Sequence, residues 1–158
     1  LRGLRRALNS RLPADIAVCA AAVAERLEGN NRSCVLEISY GSNRVLLPGD
    51  IERPVEEALA DAGVLRPVTL VSIPHHGSRT SSSTAFIDAI RPALAVASAA
   101  YGNRWGFPKP AIVRRWESYG AVVHATAGTG AVVVTLCAGR EPIVHLERLS
   151  RQRLWHSP

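Results

Sequence analysis

Apolar runs alternate with short polar segments along most of this 158-residue chain. Runs rich in Val, Leu and Ile that are bounded by Gly, Pro, Asn or Ser are typical of β-strands. Apolar positions that follow a proline and precede a glycine are typical of helices. On these criteria we predict strands at 14–19, 34–40, 44–47, 68–73, 93–99, 121–126, 131–137 and 143–149, and helices at 54–62, 83–90 and 111–119.

Turn sequences divide two pairs of these strands. Gly41-Ser42-Asn43 precedes the strand 44–47, and residues 127–130 precede the strand 131–137, so we predict a β-hairpin at each place. The segment 1–12 has leucines spaced three to four residues apart, which indicates an amphipathic helix, and 20–29 has helical composition. Strands that alternate with helices predict an α/β fold in which helices pack on a mixed sheet.

Length and composition limit the class of protein. A chain of 158 residues with 47% hydrophobic residues can bury the core of one domain, so we expect a single domain. No apolar run approaches the roughly 18 residues of a membrane span, and the first residues lack the apolar core of a secretory signal. The sequence contains no Met, so we expect a soluble piece cut from a longer protein.

The charge of the chain is carried mainly by arginine. Lys and Arg number 19 against 13 Asp and Glu, a net charge of +6. Guanidinium groups match phosphate oxygens, which favours contact with phosphate or nucleic acid; an ordinary solvated surface is the alternative. Cys19, Cys34 and Cys137 lie in apolar stretches without CxxC spacing, so we expect buried core residues rather than a disulfide or a zinc site.

The residues best suited to chemistry follow two of the predicted strands. Asp50 comes after the strand 44–47, and His75 and His76 come after the strand 68–73. Ligand sites in α/β proteins lie at the C-terminal edge of the strands, so we expect these side chains to converge. Carboxylate oxygens and neutral imidazole nitrogens together bind divalent metals. A helix cap at Asp50 and local hydrogen bonding by the histidines are the structural alternatives.

The pair of histidines is followed by serines. Adjacent residues of an extended chain point to opposite faces, so we expect only one of His75 and His76 to ligate a metal directly. Ser78 with His76 as its base would form a nucleophile, but the sequence lacks the strand-Gly-x-Ser-x-Gly elbow of such sites. We expect Ser78 to cap the following helix instead.

Four separate motifs together indicate a protein family. They are NNRSCVL at 30–36, LLPGDIE at 46–52, PHHGS at 74–78 with three serines at 81–83, and NRWGFP at 103–108. In this order and spacing they resemble the C-terminal metallo-β-lactamase-like domain of ComEC-type DNA-internalisation competence proteins, best over 30–130. The resemblance implies a metallo-β-lactamase-like αββα sandwich with mixed sheets, of which the single domain 1–158 holds the second half.

The resemblance also implies a function and its partners. Members are bacterial inner-membrane proteins that pass single-stranded DNA into the cell, and this soluble domain would lie on the periplasmic or extracytoplasmic side. Its partners would be DNA, single- or double-stranded, and the membrane channel portion of the same protein. The implied activity is a metal-dependent nuclease that degrades the strand that is not transported, with a divalent metal such as Mn or Zn as cofactor.

Residue by residue, the resemblance assigns a metal site and a mechanism. Asp50 would bridge two metal ions, His75 and His76 would supply imidazole, and Asp50 and His76 would be catalytic. Two close metals activate a water and stabilise the leaving oxygen of a phosphodiester. Candidate DNA contacts lie beside this site, where aromatic rings would stack on bases and cationic side chains would pair with phosphates. For Trp105 the alternative is a ring that packs inward. These contacts are Arg79, Tyr101, Arg104, Trp105 and Lys109.

Three departures from the family pattern limit this expectation. The chain has no His-x-His-x-Asp-His cluster, Phe107 stands where the family usually has a histidine, and 20–29 is shorter than the family's corresponding link. We therefore expect too few ligands for a two-metal site and an isolated chain without activity. A non-catalytic DNA-binding or scaffolding domain of the uptake channel is the first alternative, and a different metallo-β-lactamase-like phosphoesterase is the second.

Overall fold

The computed structural model describes the backbone of two strands near the N-terminus and the continuous stretch 27–151. Within these residues the strands are β1 Leu4–Ala7, β2 Asp15–Cys19, β3 Val35–Tyr40, β4 Asn43–Leu47, β5 Leu70–Ser72, β6 Leu94–Ala97, β7 Val122–Ala125, β8 Val132–Thr135 and β9 Ile143–Leu146. The helices are α1 Arg53–Asp61, α2 Thr84–Ile90, α3 Pro110–Ser118, α4 Thr126–Thr129 and α5 Glu147–Ser150, and 3₁₀ turns cover Gly29–Arg32 and Pro74–Gly77.

One large mixed sheet determines where the loops lie. Strands β1 to β7 pair in the order of the sequence, and β8 and β9 form a separate two-stranded sheet. The pairs from β1 to β4 are antiparallel, whereas those from β4 to β7 are parallel. The predicted α/β class with mixed sheets is confirmed. Because β4 to β7 run in one direction, the loops that follow them meet at one edge of the sheet.

The core lies between the sheet and the three longer helices. Val35, Leu46, Val71 and Ala95 of four successive strands are at most 1% exposed. Phe86 of α2 and Trp116 of α3 are fully buried, with ring centroids 6.4 Å apart and planes 88° apart, the edge-to-face arrangement that aromatic pairs prefer. No helix in the described stretches is long and apolar enough to cross a membrane.

Most of the predicted elements are present. The first hairpin is confirmed, with Leu36 opposite Leu47 and Tyr40 opposite Asn43 across the turn. Helices occur at three of the predicted places, as α1, α2 and α3. The helix predicted at 1–12 is wrong, because Leu4–Ala7 forms β1 and pairs with β2; strand pairing has overridden the local helical period. Of the segment 20–29, residues 20–26 lie outside the described residues.

The second predicted hairpin is also wrong. Strand β7 pairs in parallel with β6, and β8 pairs with β9 rather than with β7. The expected turn is the short helix α4, which begins at Thr126. The Thr126 hydroxyl oxygen accepts the Ala99 backbone N–H at 2.8 Å, which fixes the end of β7 to the chain after β6.

The expectation for the cysteines fails for the two whose side chains are described. Cys34 is exposed and Cys137 is partly exposed. Val35, the next residue after Cys34, is fully buried, and successive side chains of a strand point to opposite faces. The position of a cysteine in an apolar stretch was therefore not enough to predict that its side chain is buried.

Candidate functional site

The candidate residues lie in loops that leave three neighbouring strands of the mixed sheet. Asp50 follows β4, the histidines follow β5, and Ser98 follows β6. These strands are parallel neighbours, so their C-terminal ends share one edge. The His75 backbone N–H donates to the Gly49 carbonyl at 3.1 Å, which joins the first two loops. The structure therefore brings the loops that carry Asp50, His75 and His76 to one edge of the sheet.

The motif at 30–36 forms hydrogen bonds that hold the Asp50 loop in place. The Ser33 hydroxyl oxygen accepts the Asp50 backbone N–H at 3.2 Å, and the Asn31 side-chain oxygen accepts the Glu52 backbone N–H at 2.9 Å. Gly49 has a φ of +63°, and a Cβ there would lie 2.9 Å from the Ser33 Cβ. The first two motifs of the sequence thus form one packed unit that holds the Asp50 loop.

Both histidines have a left-handed backbone. Their φ and ψ angles are 48° and 43° at His75 and 55° and 16° at His76, so the chain is not extended here. The extended backbone assumed for the two histidines is therefore wrong. The ring centroids are 6.4 Å apart, and each ring faces a carboxylate. Such a backbone costs an L-residue roughly 1–2 kcal/mol, which the packing of the turn must offset.

A hydrogen bond fixes the orientation of the His76 ring. Its Nδ1 lies 2.7 Å from the Ser98 carbonyl oxygen, which can only accept, so Nδ1 carries the proton. In the neutral ring Nε2 then has a free lone pair, and it lies 3.7 Å from Asp50 Oδ1. Metal-bound histidines typically donate their second ring N–H to a carbonyl or carboxylate in this way. Two ligands of a tetrahedral metal would be about 3.4 Å apart.

His75 belongs to a hydrogen-bonded network. Its Nδ1 is 3.1 Å from Glu52 Oε1, and its Nε2 is 3.3 Å from the Asn30 side-chain nitrogen. The same Glu52 oxygen accepts the Thr80 hydroxyl at 2.9 Å. Both ring nitrogens of His75 therefore lie within hydrogen-bonding distance of protein atoms, whereas the nearest partner described for Nε2 of His76 is the Asp50 oxygen at 3.7 Å. Glu52, Asn30 and Thr80 were not singled out from the sequence, although two of them lie within the quoted motifs.

The described residues supply part of a metal site. Within 27–151, no three His, Cys, Asp or Glu side chains lie close enough to hold one ion. Asp50 and His76 offer an anionic oxygen and a neutral nitrogen, both about half exposed at 43% and 48%. This donor set fits two positions in the coordination sphere of a divalent ion, and a closed zinc site needs four.

The loop at 103–108 packs directly against the histidine turn. The Phe107 ring lies 6.0 Å from the His75 ring and 6.5 Å from the His76 ring, centroid to centroid. The Lys109 backbone N–H donates to the Gly77 carbonyl at 3.0 Å. A Cβ at Gly77 would lie 2.6 Å from the Pro108 Cβ, so only glycine permits this contact. The position at which the family pattern has a histidine is thus beside the site, but its phenyl ring provides no metal ligand.

Aromatic and cationic side chains extend from this loop into solvent. Trp105 is 56% exposed, so the inward-packed alternative is wrong. Its ring is nearly parallel to that of Phe107, at 12° and a centroid distance of 6.3 Å. The Arg104 guanidinium lies 4.4 Å above the Trp105 ring. Tyr101, 66% exposed, lies under the Arg148 guanidinium at 5.2 Å.

The remaining two candidate DNA contacts are Lys109, which bonds to the turn through its backbone, and Arg79, which follows the turn in sequence. Lys109 donates from its Nζ to the Trp105 carbonyl and lies 5.4 Å from the centre of the Phe107 ring. Arg79 is exposed and lies in the segment that follows Gly77. All five predicted contacts are therefore at or near the edge of the sheet that carries Asp50 and His76.

Comparison with known proteins gives this arrangement a family. The chain is 35% identical to the Escherichia coli protein named Uncharacterized protein YcaI over 130 residues, which cover 82% of this chain and 17% of that protein. It is 35% identical to Recombination protein 2 of Haemophilus influenzae over 111 residues, 70% of this chain and 14% of that one. It is 36% identical to Competence protein ComA of Neisseria gonorrhoeae over 117 residues, 73% of this chain and 17% of that one.

The chain belongs to the ComEC family of competence proteins. The family predicted from the four motifs is confirmed. It spans only 14% to 17% of the length of these three relatives. No family model matches it. A solved structure of the CmlA β-hydroxylase E377D mutant aligns with a TM-score of 0.49 and 16% identity over 78% of this chain and 31% of that one.

In this ComEC-family chain, the buried serines that follow the histidine turn form hydrogen bonds to the turn and to the neighbouring helices. The Ser81 hydroxyl donates to the Pro74 carbonyl at 2.8 Å, and the Ser82 hydroxyl oxygen accepts the Trp116 indole N–H at 3.1 Å. The Ser83 hydroxyl oxygen accepts the Phe86 N–H and caps α2. The cap predicted at Ser78 is therefore wrong: Ser78 pairs instead with the Thr80 hydroxyl at 3.1 Å, five residues before the cap. The serine run is buried structure rather than an exposed row of hydroxyls.

A buried carboxylate, missed in the sequence, fixes the same segment to α1. Glu56 is fully buried, and its two carboxylate oxygens accept the backbone N–H groups of Ser82 and Ser83, each at 2.6 Å. Burial raises the pKa of Glu56 above its ordinary value, and the two backbone hydrogen bonds and the nearby Arg53 charge oppose that increase. Glu56 thereby ties the start of α2, and with it the histidine turn, to the helix that follows Asp50.

Proposed function

We propose that this segment acts in DNA uptake during competence, as part of a metal-dependent nuclease that degrades the strand that is not transported. The observation that supports the proposal is the arrangement of His76. Its Nδ1 is fixed by the Ser98 carbonyl, and its Nε2 faces Asp50 across 3.7 Å. Two acceptor atoms that face each other across an open edge are suited to a divalent cation.

In this proposal the residues have distinct tasks. Asp50 and His76 would hold a divalent metal such as Mn or Zn, which when bound lowers the pKa of a coordinated water and stabilises the leaving oxygen of a phosphodiester. Ser98 keeps His76 in the tautomer whose Nε2 is free. Glu52 and Thr80 orient His75, which would ligate the metal if its hydrogen bond with Asn30 opens. The remaining ligands would come from parts of the protein outside the described residues.

The loop beside the site would hold the DNA strand. Base stacking on an aromatic ring contributes about 1–3 kcal/mol per base and tolerates any sequence. Trp105 and Tyr101 expose rings suited to this, at 56% and 66% exposure. Arg79, Arg104 and Lys109 would pair with phosphates. The membrane channel portion of the longer protein would deliver the strand on the extracytoplasmic side.

Metal binding tests the proposal most directly. We expect Mn²⁺ or Zn²⁺ binding to the longer protein that contains this segment, followed by isothermal titration calorimetry, to fall at least tenfold in Asp50→Ala and in His76→Ala. Asp88→Ala removes an exposed carboxylate that pairs with Arg91 far from the histidines, and it should bind metal like the parent chain. Cleavage of a labelled single-stranded oligonucleotide is measured in the same samples. A longer protein that binds no metal, or an Asp50→Ala variant of it that binds metal equally well, contradicts the proposal.

A non-catalytic DNA-binding domain is the second candidate. It is favoured by Phe107 at a position without a metal ligand and by the presence of only two well-oriented donors in 27–151. It predicts that Trp105→Ala weakens binding of single-stranded DNA, whereas Asp50→Ala changes neither binding nor cleavage. Metal-dependent cleavage that Asp50→Ala abolishes would exclude this second function.

A further inference from the structure

A second concave surface lies at the edge of the sheet opposite the candidate site. This groove has a volume of about 690 Å³. Thr69 and Ala93 line it, and they immediately precede β5 and β6, whereas Asp50 and His76 follow the ends of β4 and β5. At 3.3 Å per residue, five residues of extended chain separate the two edges by about 16 Å. The groove is therefore a surface separate from the site.

Arginines dominate the charge of this surface, which we call the arginine groove. Its lining contains Arg44, Arg91 and Arg140 against one acidic residue, Glu141. The Arg44 Nε donates to the Pro67 carbonyl at 2.8 Å, which fixes the direction of its guanidinium. Arg91 is paired with Asp88 at 3.2 Å, but its side chain remains 68% exposed. The groove thus combines one oriented guanidinium with two exposed ones.

The shape of the arginine groove indicates a polymer rather than a small molecule. Arg91, Arg140 and Tyr119 are all exposed, whereas small-molecule sites enclose most of their ligand among apolar side chains. Guanidinium groups match phosphate oxygens in pairs. Tyr119, 39% exposed, adds an aromatic face on which a base can stack. An open, basic groove with one aromatic ring has the features of a surface that follows a single nucleic-acid strand.

We propose that the arginine groove binds the phosphate backbone of a single-stranded nucleic acid, as a contact independent of Asp50 and His76. It gives the chain a second place at which to hold a strand, on the other edge of the same parallel strands. The inference stands whether or not the segment binds metal or cleaves DNA, because no residue of the candidate site takes part.

The salt dependence of binding tests this inference. A fluorescein-labelled 30-nucleotide single strand is titrated with the 158-residue chain in EDTA, between 50 and 200 mM salt, and followed by anisotropy. For single strands the slope of log K against log salt changes by about 0.7 per phosphate contact. Arg91→Gln combined with Arg140→Gln should therefore reduce the slope by about 1.4 and weaken binding about 25-fold at 0.1 M salt.

A charge-matched control separates the groove from the total charge. Arg114→Gln combined with Arg151→Gln removes the same charge from exposed positions outside the groove, and Arg151, like Arg91, is ion-paired. We expect this variant to keep most of the parent slope and affinity. Equal losses in both double variants, or no loss in the groove variant, overturn the inference. Displacement of the oligonucleotide by polyglutamate at equal charge concentration would show that the groove takes acidic peptides instead.

Two further readouts keep the result interpretable. Thermal melts followed by circular dichroism establish that each variant is folded. If the double variant unfolds, Arg140→Gln alone, on an exposed turn, should reduce the slope by about 0.7. Because EDTA removes divalent metal, failure of the proposed nuclease leaves these measurements unchanged.

Discussion

Replacing Glu56 by glutamine should destabilise the whole edge of the sheet that carries the histidines. The carboxylate accepts two backbone N–H groups at 2.6 Å in a fully buried position. In Glu56→Gln one oxygen becomes an NH₂ group, so one of the N–H groups of Ser82 and Ser83 faces a donor. Loss of a hydrogen bond to a charged group costs about 1.5–3 kcal/mol, and removing a buried charge recovers part of that. We expect a net loss of about 2 kcal/mol.

Urea unfolding measures this loss, with the fluorescence of the buried Trp116 as one probe of the transition. A net loss of about 2 kcal/mol corresponds to a fall in Tm of about 4–8 °C for a chain of this size. Glu57→Gln is the matched control, because Glu57 is the next residue of α1 and is exposed; it should change stability by less than about 0.5 kcal/mol. A loss in Glu56→Gln no larger than that of the control would refute the reasoning.

Two further predictions concern the same region. Gly77→Ala should lower the free energy of unfolding in urea by about 2–3 kcal/mol, because the new Cβ would lie 2.6 Å from the Pro108 Cβ. Gly120→Ala is the control, since Gly120 also has a positive φ but nothing within 4 Å of its Cβ position, and it should cost about 1 kcal/mol. Equal costs would show that the contact with Pro108 is unimportant. The pKa of Glu56 is raised in the folded state, so the folded chain binds the carboxyl proton more tightly than the unfolded chain does. The contribution of Glu56 to the free energy of unfolding is therefore largest below about pH 4 and declines as the pH rises through the folded pKa. The stability difference between the parent chain and Glu56→Gln should follow this decline, and a difference independent of pH contradicts it.

Local rules predicted those parts of the fold in which neighbours in sequence are also neighbours in space. The hairpin of β3 and β4 was predictable because its turn residues lie between two apolar strands that pair with each other. Helices α1 and α3 were predictable because a proline lies in the first turn of each. The rules failed for Leu4–Ala7 and for the pairing of β7, which was correctly predicted as a strand, because both depend on partners elsewhere in the sheet.

The candidate site was predictable in its residues but not in its geometry. The order of strands and motifs was enough to expect Asp50 and the histidines at one edge. The residue types at 75 and 76 do not indicate a left-handed backbone, so the turn was incorrectly predicted as extended. The roles of Glu52 and Glu56 depend on backbone groups and side chains 23 or more residues away, and no local pattern indicates them.

The left-handed turn at His75 and His76 separates the demands of folding from those of chemistry. Two consecutive non-glycine residues at φ of 48° and 55° make folding less favourable by about 1–2 kcal/mol each. Glycine at either position would relieve this strain. It would also remove the contacts of His75 with Glu52 and Asn30, or the hydrogen bond from His76 to the Ser98 carbonyl. The two effects oppose each other, so the stability of a glycine variant measures how much the imidazole contacts contribute to the turn.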